Sequence, residues 1–271
     1  MKLEYCIRSL YTPVQPAVTG TEGEVSYIEL LPDAQLQDFI YCYWNLKTSK
    51  PLDDIYNYRV VSDGCIDVVF NCTNHDEAYI MGYYNSFVKI GIDKEFNYFG
   101  IRFLPGIFPL LFNIDASELS NHYERLDTVQ PYLYNVIQQS KNKCSCFQDL
   151  CNELNHYLIN HINKIDKFFD HRFFCALETI LKSKGAIHIE KDLKDGISSR
   201  HLQRLFNFYI GDTAKSFCRI VRFQNLLKID PSIKLIKADK LFYDFGYYDQ
   251  THFIKEFKLF YGKTPSKIAT E

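Results

Sequence analysis

Residues 196–211 read Gly-Ile-Ser-Ser-Arg-His-Leu-Gln-Arg-Leu-Phe-Asn-Phe-Tyr-Ile-Gly and contain the signals of one short helix. Gly196 can adopt the positive φ that closes a preceding helix, and Ser198 is a favourable N-cap for the next one. Apolar residues then recur at helical spacing and form one stripe that can be buried, made of Leu202, Leu205 and Phe206. The sequence therefore predicts a helix that starts after Ser198 and packs through a single face.

Polar side chains occupy the other faces of this predicted helix. Arg200, His201, Gln203 and Arg204 fall in its first two turns and project away from the apolar stripe. Arg can bind guanine O6 and N7 in bidentate fashion, and Gln can bind adenine N6 and N7. A short helix of this kind has the shape and chemistry needed to enter the major groove of DNA.

The same plan occurs again between Lys240 and Gly262. A short helix is predicted at 238–245, Gly246 turns the chain, and Asp249 caps a further helix. Polar side chains again project from its first two turns, namely Gln250, Thr251, His252 and Lys255.

A longer helix, predicted at 213–229, separates the two copies, and Pro231 prevents its continuation. A helix of about 17 residues is a rod of about 26 Å. Such a rod can hold two helices about one DNA turn apart, or about 34 Å, on one face of the duplex. The spacing predicts that one chain reads two successive major grooves.

These residues resemble the DNA-binding module of the AraC/XylS-type transcription regulators. The resemblance covers about residues 170–268 and depends on Ser-Arg-His-Leu-Gln-Arg-Leu-Phe at 199–206, Arg-Phe-Gln at 222–224, Gly-Tyr-Tyr-Asp-Gln-Thr-His-Phe-Ile-Lys-Glu-Phe at 246–257 and Tyr-Gly-Lys-Thr-Pro-Ser at 261–266. It implies that bases are contacted by Arg200, Gln203 and Arg204 in the first copy and by Gln250, Thr251 and Lys255 in the second. It also makes His252 a candidate for a base or phosphate contact, and Ser199 and Lys258 candidates for phosphate contacts.

The sequence departs from that family's pattern in two places. Lys191, Asp192 and Asp195 stand where the supporting helix of the first copy usually carries apolar residues, which leaves Ile189 and Leu193 to pack it. Ala214 replaces a frequent proline early in the connecting helix, which a helix tolerates easily. We therefore expect the second copy to be the more regular of the two.

The first half is similar, more loosely, to the sensor-like domain that precedes this module in one branch of the same family. The matching pieces are Phe-Ile-x-x-Tyr-Trp at 39–44, Arg-Val-Val-Ser-Asp-Gly-Cys-Ile-Asp-Val-Val-Phe at 59–70 and Gly-Ile-Arg-Phe-Leu-Pro-Gly at 100–106. Short strands rich in Val, Ile, Phe and Tyr are predicted at 25–30, 58–62, 66–71, 78–84, 87–92 and 98–103, while 34–46 fits a helix or a strand. Their spacing favours a sandwich or barrel.

The pattern becomes helical from Pro105 onward. Helices are predicted at 109–112, 131–140 and 146–165, with a loop at Lys141–Lys143, and at 173–181. The last two helices of the first half can form either a dimer interface or a lid on the strands. The fold class is α+β, with a β-rich domain and helical appendage at 1–166 and an all-α domain of two helix-turn-helix units joined by a linker helix at 167–271.

Composition agrees with this division. The chain has 271 residues, of which 46% are hydrophobic, so each half can bury a core. Residues 1–169 hold 13 Lys+Arg against 21 Asp+Glu, a net charge of −8, whereas residues 170–271 hold 18 against 12, a net charge of +6. A basic second half is typical of a nucleic-acid-binding part.

Other sequence features narrow the class of protein. We find no apolar run long enough to span a membrane and no secretory signal, and the nine cysteines are an odd number, so we expect reduced thiols and a cytoplasmic protein. Cys144, Cys146 and Cys151 lie near two histidines but fit no standard zinc spacing, and burial as small apolar side chains is favoured. We assign no catalytic residue, metal site or cofactor.

Effector binding is the remaining prediction for the first half. Arg59 and Arg102 are candidates for contact with an anionic effector, or they pair with carboxylates within the barrel mouth, and Asp63 is a further candidate for effector binding. The sequence thus predicts a bacterial DNA-binding transcription regulator, activator or repressor, that acts as a monomer or homodimer on promoter DNA. RNA polymerase and a small effector are candidate partners. The alternative is a cupin-like barrel enzyme with a helical assembly domain.

Overall fold

The computed structural model describes residues 5, 7–16, 23–74, 76–165, 169–193, 196–229 and 241–268. Within them, strands dominate the first half and helices the second, so the predicted α+β class is confirmed. The proposed domain boundary at 166/167 falls in a segment outside the described residues.

The strands form two antiparallel sheets. Their bounds are β1 (Val25–Leu30), β2 (Ile40–Thr48), β3 (Tyr56–Val60), β4 (Ile66–Asn71), β5 (Ala78–Met81), β6 (Val88–Ile92), β7 (Asn97–Phe103) and β8 (Tyr123–Arg125). The larger sheet has the order β1-β2-β7-β4-β5-β8, and β3 pairs with β6 in the smaller one. Trp44 lies opposite Gly100 in the larger sheet, and a Cβ at Gly100 would fall 1.9 Å from the indole ring. Only glycine leaves room for the tryptophan there.

Residues 34–46, which fit a helix or a strand by sequence, contain both. Ala34–Leu36 form a 3-10 turn capped by the Asp33 carboxylate, and β2 begins at Ile40. The predicted strands agree with the observed ones except at their ends. Asp63 and Gly64 form the predicted turn between β3 and β4, where the Asp63 carboxylate accepts a hydrogen bond from the Cys65 amide.

Helices of the first half pack against the larger sheet. They are α1 (Ile7–Leu10), α2 (Ile107–Phe112), α3 (Leu126–Val129), α4 (Pro131–Lys143) and α5 (Phe147–Lys164). The predicted loop at Lys141–Lys143 is wrong, because these residues form the last turn of α4, where lysine suits the negative end of the helix dipole. The Phe147 ring lies 5.1 Å from that of Phe99 on β7. This packing supports the lid alternative for α4 and α5.

Helices of the second half share a core with the first. They are α6 (His171–Lys182), α7 (Ile189–Asp192), α8 (Ser199–Ile210), α9 (Ala214–Ile229), α10 (Gln250–Tyr261) and α11 (Pro265–Ile268). The Tyr5 ring stacks on Phe174 of α6 with centroids 5.5 Å apart, and the Phe217 ring of α9 lies where a Cβ at Gly64 would fall, 2.7 Å away. Tyr5 and the β3–β4 turn therefore contact the helical domain and help to fix its position.

Gln224 of α9 is the polar centre of this contact and is 1% exposed. Its amide donates to the Ser62 carbonyl at 2.8 Å, and its side-chain oxygen accepts from the Val14 amide at 2.7 Å. Both groups belong to the first half, so Gln224 fixes α9 to it. None of the helices in the described ranges is long and apolar enough to cross a membrane.

Candidate nucleic-acid interface

The first helix-turn-helix unit begins with a very short supporting helix. α7 has only one turn, Leu193 after it is buried, and Ile189 at its start is half-buried. Gly196 has φ of +76°, as the turn requires. The Ser198 hydroxyl then accepts a hydrogen bond from the His201 amide at 3.2 Å, which is the predicted N-cap of α8. The supporting helix α7, where polar residues replace the apolar residues of the family pattern, thus has only four residues.

α8 buries the predicted stripe and exposes most of the predicted contact residues. Leu202, Leu205 and Phe206 are buried, and Gly211 closes the helix with φ of +98°. The side chains that face solvent are those of Ser199, Arg200, Gln203 and Arg204. Bidentate contact with a base edge needs this exposure.

His201 differs from these neighbours because its ring is half-buried. Its Nδ1 atom lies 2.9 Å from Nη2 of Arg204, and its Nε2 atom lies 3.5 Å from a carboxylate oxygen of Asp170, the N-cap of α6. In this arrangement His201 positions the Arg204 guanidinium, and its predicted contact with DNA stays a prediction.

α9 is the predicted rod between the two units. The Thr213 hydroxyl accepts a hydrogen bond from the Ser216 amide at 3.1 Å, and the helix runs to Ile229. Its 16 residues span about 24 Å at 1.5 Å per residue. Most of its apolar residues are buried, so packing on several sides holds it in place.

The second unit has the same construction at the other end. Leu241–Tyr243 form a 3-10 turn, while 238–240 of the predicted helix lie outside the described residues. Gly246 has φ of +74°, and the Asp249 carboxylate accepts a hydrogen bond from the His252 amide at 2.7 Å as the N-cap of α10. Phe253, Phe257 and Phe260 are buried, and Gly262 closes the helix.

The predicted contact residues of α10 all lie on its solvent face. They are Gln250, Thr251, His252, Lys255 and Lys258. Both units therefore present a capped N-terminus and polar first turns, which is the arrangement that places a recognition helix in a major groove.

An ion pair with a buried carboxylate joins α9 to α10 and was not predicted. Glu256 is 3% exposed, and Arg219 of α9 donates to its carboxylate from Nε at 2.7 Å. His252 lies 3.8 Å from the same carboxylate. The sequence places Glu256 on the apolar side of α10, and a carboxylate at such a position was the available signal that a partner covers it.

The effector candidates of the first half are already engaged. The Arg102 guanidinium binds the Asp67 carboxylate at 2.9 Å and lies 3.7 Å from that of Asp63. Burial works against its charge, but the two carboxylates raise the pKa of Arg102 well above its ordinary value. Burial raises the pKa of Asp67, and Arg102 together with the Trp44 indole NH offsets part of that rise. Arg102 is therefore not free to receive an anion.

Arg59 points elsewhere. Its guanidinium lies 5.8 Å from the ring centroid of Tyr261, at the end of α10. The structure thus keeps Arg59 apart from the Asp63–Arg102 pair and places it against the helical domain.

The cysteine cluster gives no metal site among the described residues. Cys151 is buried as predicted, whereas Cys144 is half-buried and Cys146 is exposed. Burial was the wrong prediction for Cys146, because it is the N-cap of α5 and its Sγ accepts from the Asp149 amide. The eight described cysteines are free thiols.

Two capped recognition helices on a common rod define a helix-turn-helix DNA-binding domain. Family comparison agrees: residues 194–271 match a model described as a helix-turn-helix domain. Residues 28–125 match a domain of unknown function, DUF6597. Residues 194–271 thus form a helix-turn-helix domain, a kind of domain that binds DNA.

Solved structures add distant likenesses. ToxT from Vibrio cholerae O395 is 12% identical, with a TM-score of 0.38, and an apo form of ToxT with one substitution from Vibrio cholerae strain SCE256 is 13% identical, with a TM-score of 0.39. Each match covers 91% of this chain and 96% of the other. At these scores the likeness supports no argument about this chain. A comparison with curated protein sequences finds no match.

Proposed function

We propose that the chain regulates transcription by reading two successive major grooves of promoter DNA, one with α8 and one with α10. The observation that carries this is the repeated arrangement of a capped helix with exposed polar first turns on either side of one rod. The rod spans about 24 Å, a suitable scale for units that meet grooves about 34 Å apart. The net charge of +6 over residues 170–271 supplies attraction to phosphates.

The base contacts proposed are those of Arg200, Gln203 and Arg204 in the first unit, and of Gln250, Thr251 and Lys255 in the second. Ser199, His252 and Lys258 are proposed to contact phosphate or, for His252, a base. Their exposure and their place in the first turns support these roles.

Selection of binding sites from random duplexes by the full chain tests this proposal. We expect enriched sequences with two half-sites whose centres lie about 10 base pairs apart. A single short motif, or no enrichment, would overturn the two-groove proposal. Footprinting on the selected duplex should show protection on one face of the DNA.

We also propose that the first domain gates the first unit, through a small ligand or a partner. The reading face of α8 borders a cleft whose other wall is formed by Asp115 and Ser117. Gly211, at the end of α8, lies so close to Ala116 that a Cβ would fall 2.8 Å from its carbonyl oxygen. A DNA duplex bound to the exposed side chains of α8 would need part of this cleft. Separation of the two domains would therefore favour DNA binding.

The variant Tyr83→Phe tests this gating. The Tyr83 hydroxyl hydrogen-bonds the Ser216 hydroxyl of α9 at 2.9 Å, and its loss weakens the contact by about 1 kcal/mol without changing its shape. We expect DNA affinity to rise severalfold, while Tyr84→Phe, at the adjacent position, leaves it unchanged. Unchanged or weaker DNA binding by Tyr83→Phe would contradict the gating.

A further inference from the structure

A cavity of about 300 Å³ lies between the two sheets of the first domain. Trp44, Leu46 and Val69 of the larger sheet form one wall, and Tyr58 and Ile92 of the β3–β6 sheet form the other. These five side chains are all nearly buried. A volume of this size is within the range that small-molecule sites occupy.

Five of the thirteen residues that line the cavity are aromatic. Trp44 and Tyr58 are buried, Tyr79 and Tyr98 are half-buried, and Tyr123 is exposed at the edge. The Tyr79 and Tyr123 rings meet edge to face at 5.3 Å, so they wall one side. The faces of such rings carry negative potential and attract a cation that is placed over them.

The charged side chains that line the cavity are both acidic. Glu77 and Asp93 are acidic, and the described residues that line the cavity include no Lys, Arg or His. Burial raises the pKa of Glu77, but hydrogen bonds from Asn71, Tyr98 and Asn74, together with the charge of Lys141, hold it below its ordinary value. The Glu77 carboxylate is thus ionised at neutral pH.

Neither Arg102 nor Lys141 lines the cavity, and each is already engaged: Lys141 hydrogen-bonds the Asn71 carbonyl. The guanidinium of Arg102 is enclosed by Asp67 and Asp63, and Trp44 donates its indole NH to Asp67 at 3.0 Å. This hydrogen bond therefore fixes the position of the Trp44 indole, which lines the cavity. An anionic ligand would meet two carboxylates here without a free positive group.

We propose that this cavity binds a small organic cation, with its ammonium group against the aromatic rings and beside Glu77. The apolar walls of Leu46, Val69 and Ile92 take the hydrocarbon part of the ligand. An ammonium bound against the faces of these rings is attracted by them, which separates a cation from a neutral molecule of equal shape.

A short path leads from this cavity to the helical domain. Tyr58 lies on β3, and the same segment continues to Ser62, whose carbonyl accepts the hydrogen bond from Gln224 of α9. A regulatory effect of the ligand depends on the proposed DNA-binding function, whereas ligand binding itself does not. The two are therefore tested separately.

Trp44 makes the test direct because it is the only tryptophan of the chain. The full chain is titrated without DNA while tryptophan fluorescence is followed. Two pairs of probes are used, choline with its uncharged isostere dimethylbutanol, and phenethylamine with phenethyl alcohol. We expect a saturable change with at least one cation, and binding weaker by about tenfold or more for its neutral counterpart.

Two variants locate the site. Glu77→Gln keeps the shape of the side chain but removes its charge, and we expect it to weaken cation binding by about tenfold. Glu124→Gln, an exposed change on β8, should leave it as in the wild type. Circular dichroism of both variants checks that they fold.

Three results would overturn the proposal: no saturable response to either cation, equal binding of charged and neutral probes, or wild-type affinity in Glu77→Gln. Site selection with the same protein preparation reports on DNA binding. A chain that binds DNA but no cation refutes this inference alone, and a chain that binds a cation but no DNA refutes the proposed function alone.

Discussion

Arg219 and Glu256 join the rod to the second recognition helix through a hydrogen bond of 2.7 Å. The Glu256 side chain is 2% exposed and that of Arg219 is 37% exposed, so the buried carboxylate depends on Arg219 for this hydrogen bond. The same Arg219 guanidinium lies 5.3 Å from the Phe260 ring centroid. The hydrogen bond to Glu256 and the contact with the Phe260 ring therefore fix the angle between α9 and α10.

Removal of Arg219 should loosen the second unit. Arg219→Ala leaves the buried Glu256 carboxylate without its partner, and we expect the free energy of unfolding to fall by about 1–3 kcal/mol. Urea unfolding measures this. Lys215→Ala, an exposed change on the same helix, should cost less than about 0.5 kcal/mol. Adding Glu256→Gln to Arg219→Ala should restore part of the loss, and a further loss instead would refute the pairing.

Local signals explain which parts of the fold could be predicted. The signals of Gly196, Ser198 and Asp249 act on residues close to them in the chain, and the structure has Gly196 in a turn with positive φ and the other two as N-caps. The strands followed from their runs of β-branched and aromatic residues in the same way. Periodicity and capping depend on near neighbours, which the sequence displays directly.

Long-range partners explain what could not be predicted. Arg102 was a candidate for an effector, but it is neutralised by Asp67, which a different strand of the sheet brings beside it. Gln224 and Glu256 gain their roles only from groups far away in the chain. The aromatic cavity likewise needs both sheets in place before its walls meet. The sequence can show that a polar residue such as Glu256 lies on an apolar face, but it does not show which group covers it.

Arg204 should carry sequence preference. It is exposed on α8 and held by the His201 ring, so it is preorganised for bidentate contact with a guanine. Arg204→Ala should weaken specific binding by about 1–3 kcal/mol and relax the preference at one base position. Competition mobility-shift assays with single-base variants of the selected site measure this. Lys182→Ala, which removes an exposed lysine that pairs with Glu178 at the end of α6, serves as the control for lost charge. Unchanged discrimination in Arg204→Ala would remove Arg204 from base readout.

The spacing between half-sites should be rigid. α9 is buried along most of its length and cannot stretch, so the distance between α8 and α10 is fixed. Insertion of about 5 base pairs between the half-sites turns the second groove to the opposite face, and insertion of about 10 restores the face but adds about 34 Å. We expect both to reduce affinity to that of a duplex with one half-site. Retained affinity with the longer insertion would mean that the units move independently.

The contact between Gly64 and Phe217 should be sensitive to one methyl group. Gly64 has φ of +72° and a Cβ there would fall 2.7 Å from the Phe217 ring, whereas Gly23 has φ of +95° and open space around it. Alanine strains the backbone at both positions, so Gly23→Ala is the matched control. We expect Gly64→Ala to lower the free energy of unfolding by about 1–3 kcal/mol more than Gly23→Ala. Equal losses in urea unfolding would show that the domains do not pack here.

Acid should weaken the start of the helical domain through Asp170. Hydrogen bonds from Arg172, opposed by burial, hold the pKa of this carboxyl below its ordinary value. A carboxyl with a lowered pKa in the folded state stabilises the fold above its unfolded pKa of about 3.9, and this stability is lost as pH falls through the folded value. Asn can still cap α6, so Asp170→Asn removes mainly the charge. The difference in urea unfolding free energy between wild type and variant should be constant from about pH 7 to 5 and shrink below about pH 4. A difference that stays constant through this range would show that the ion pair with Arg172 does not stabilise the fold.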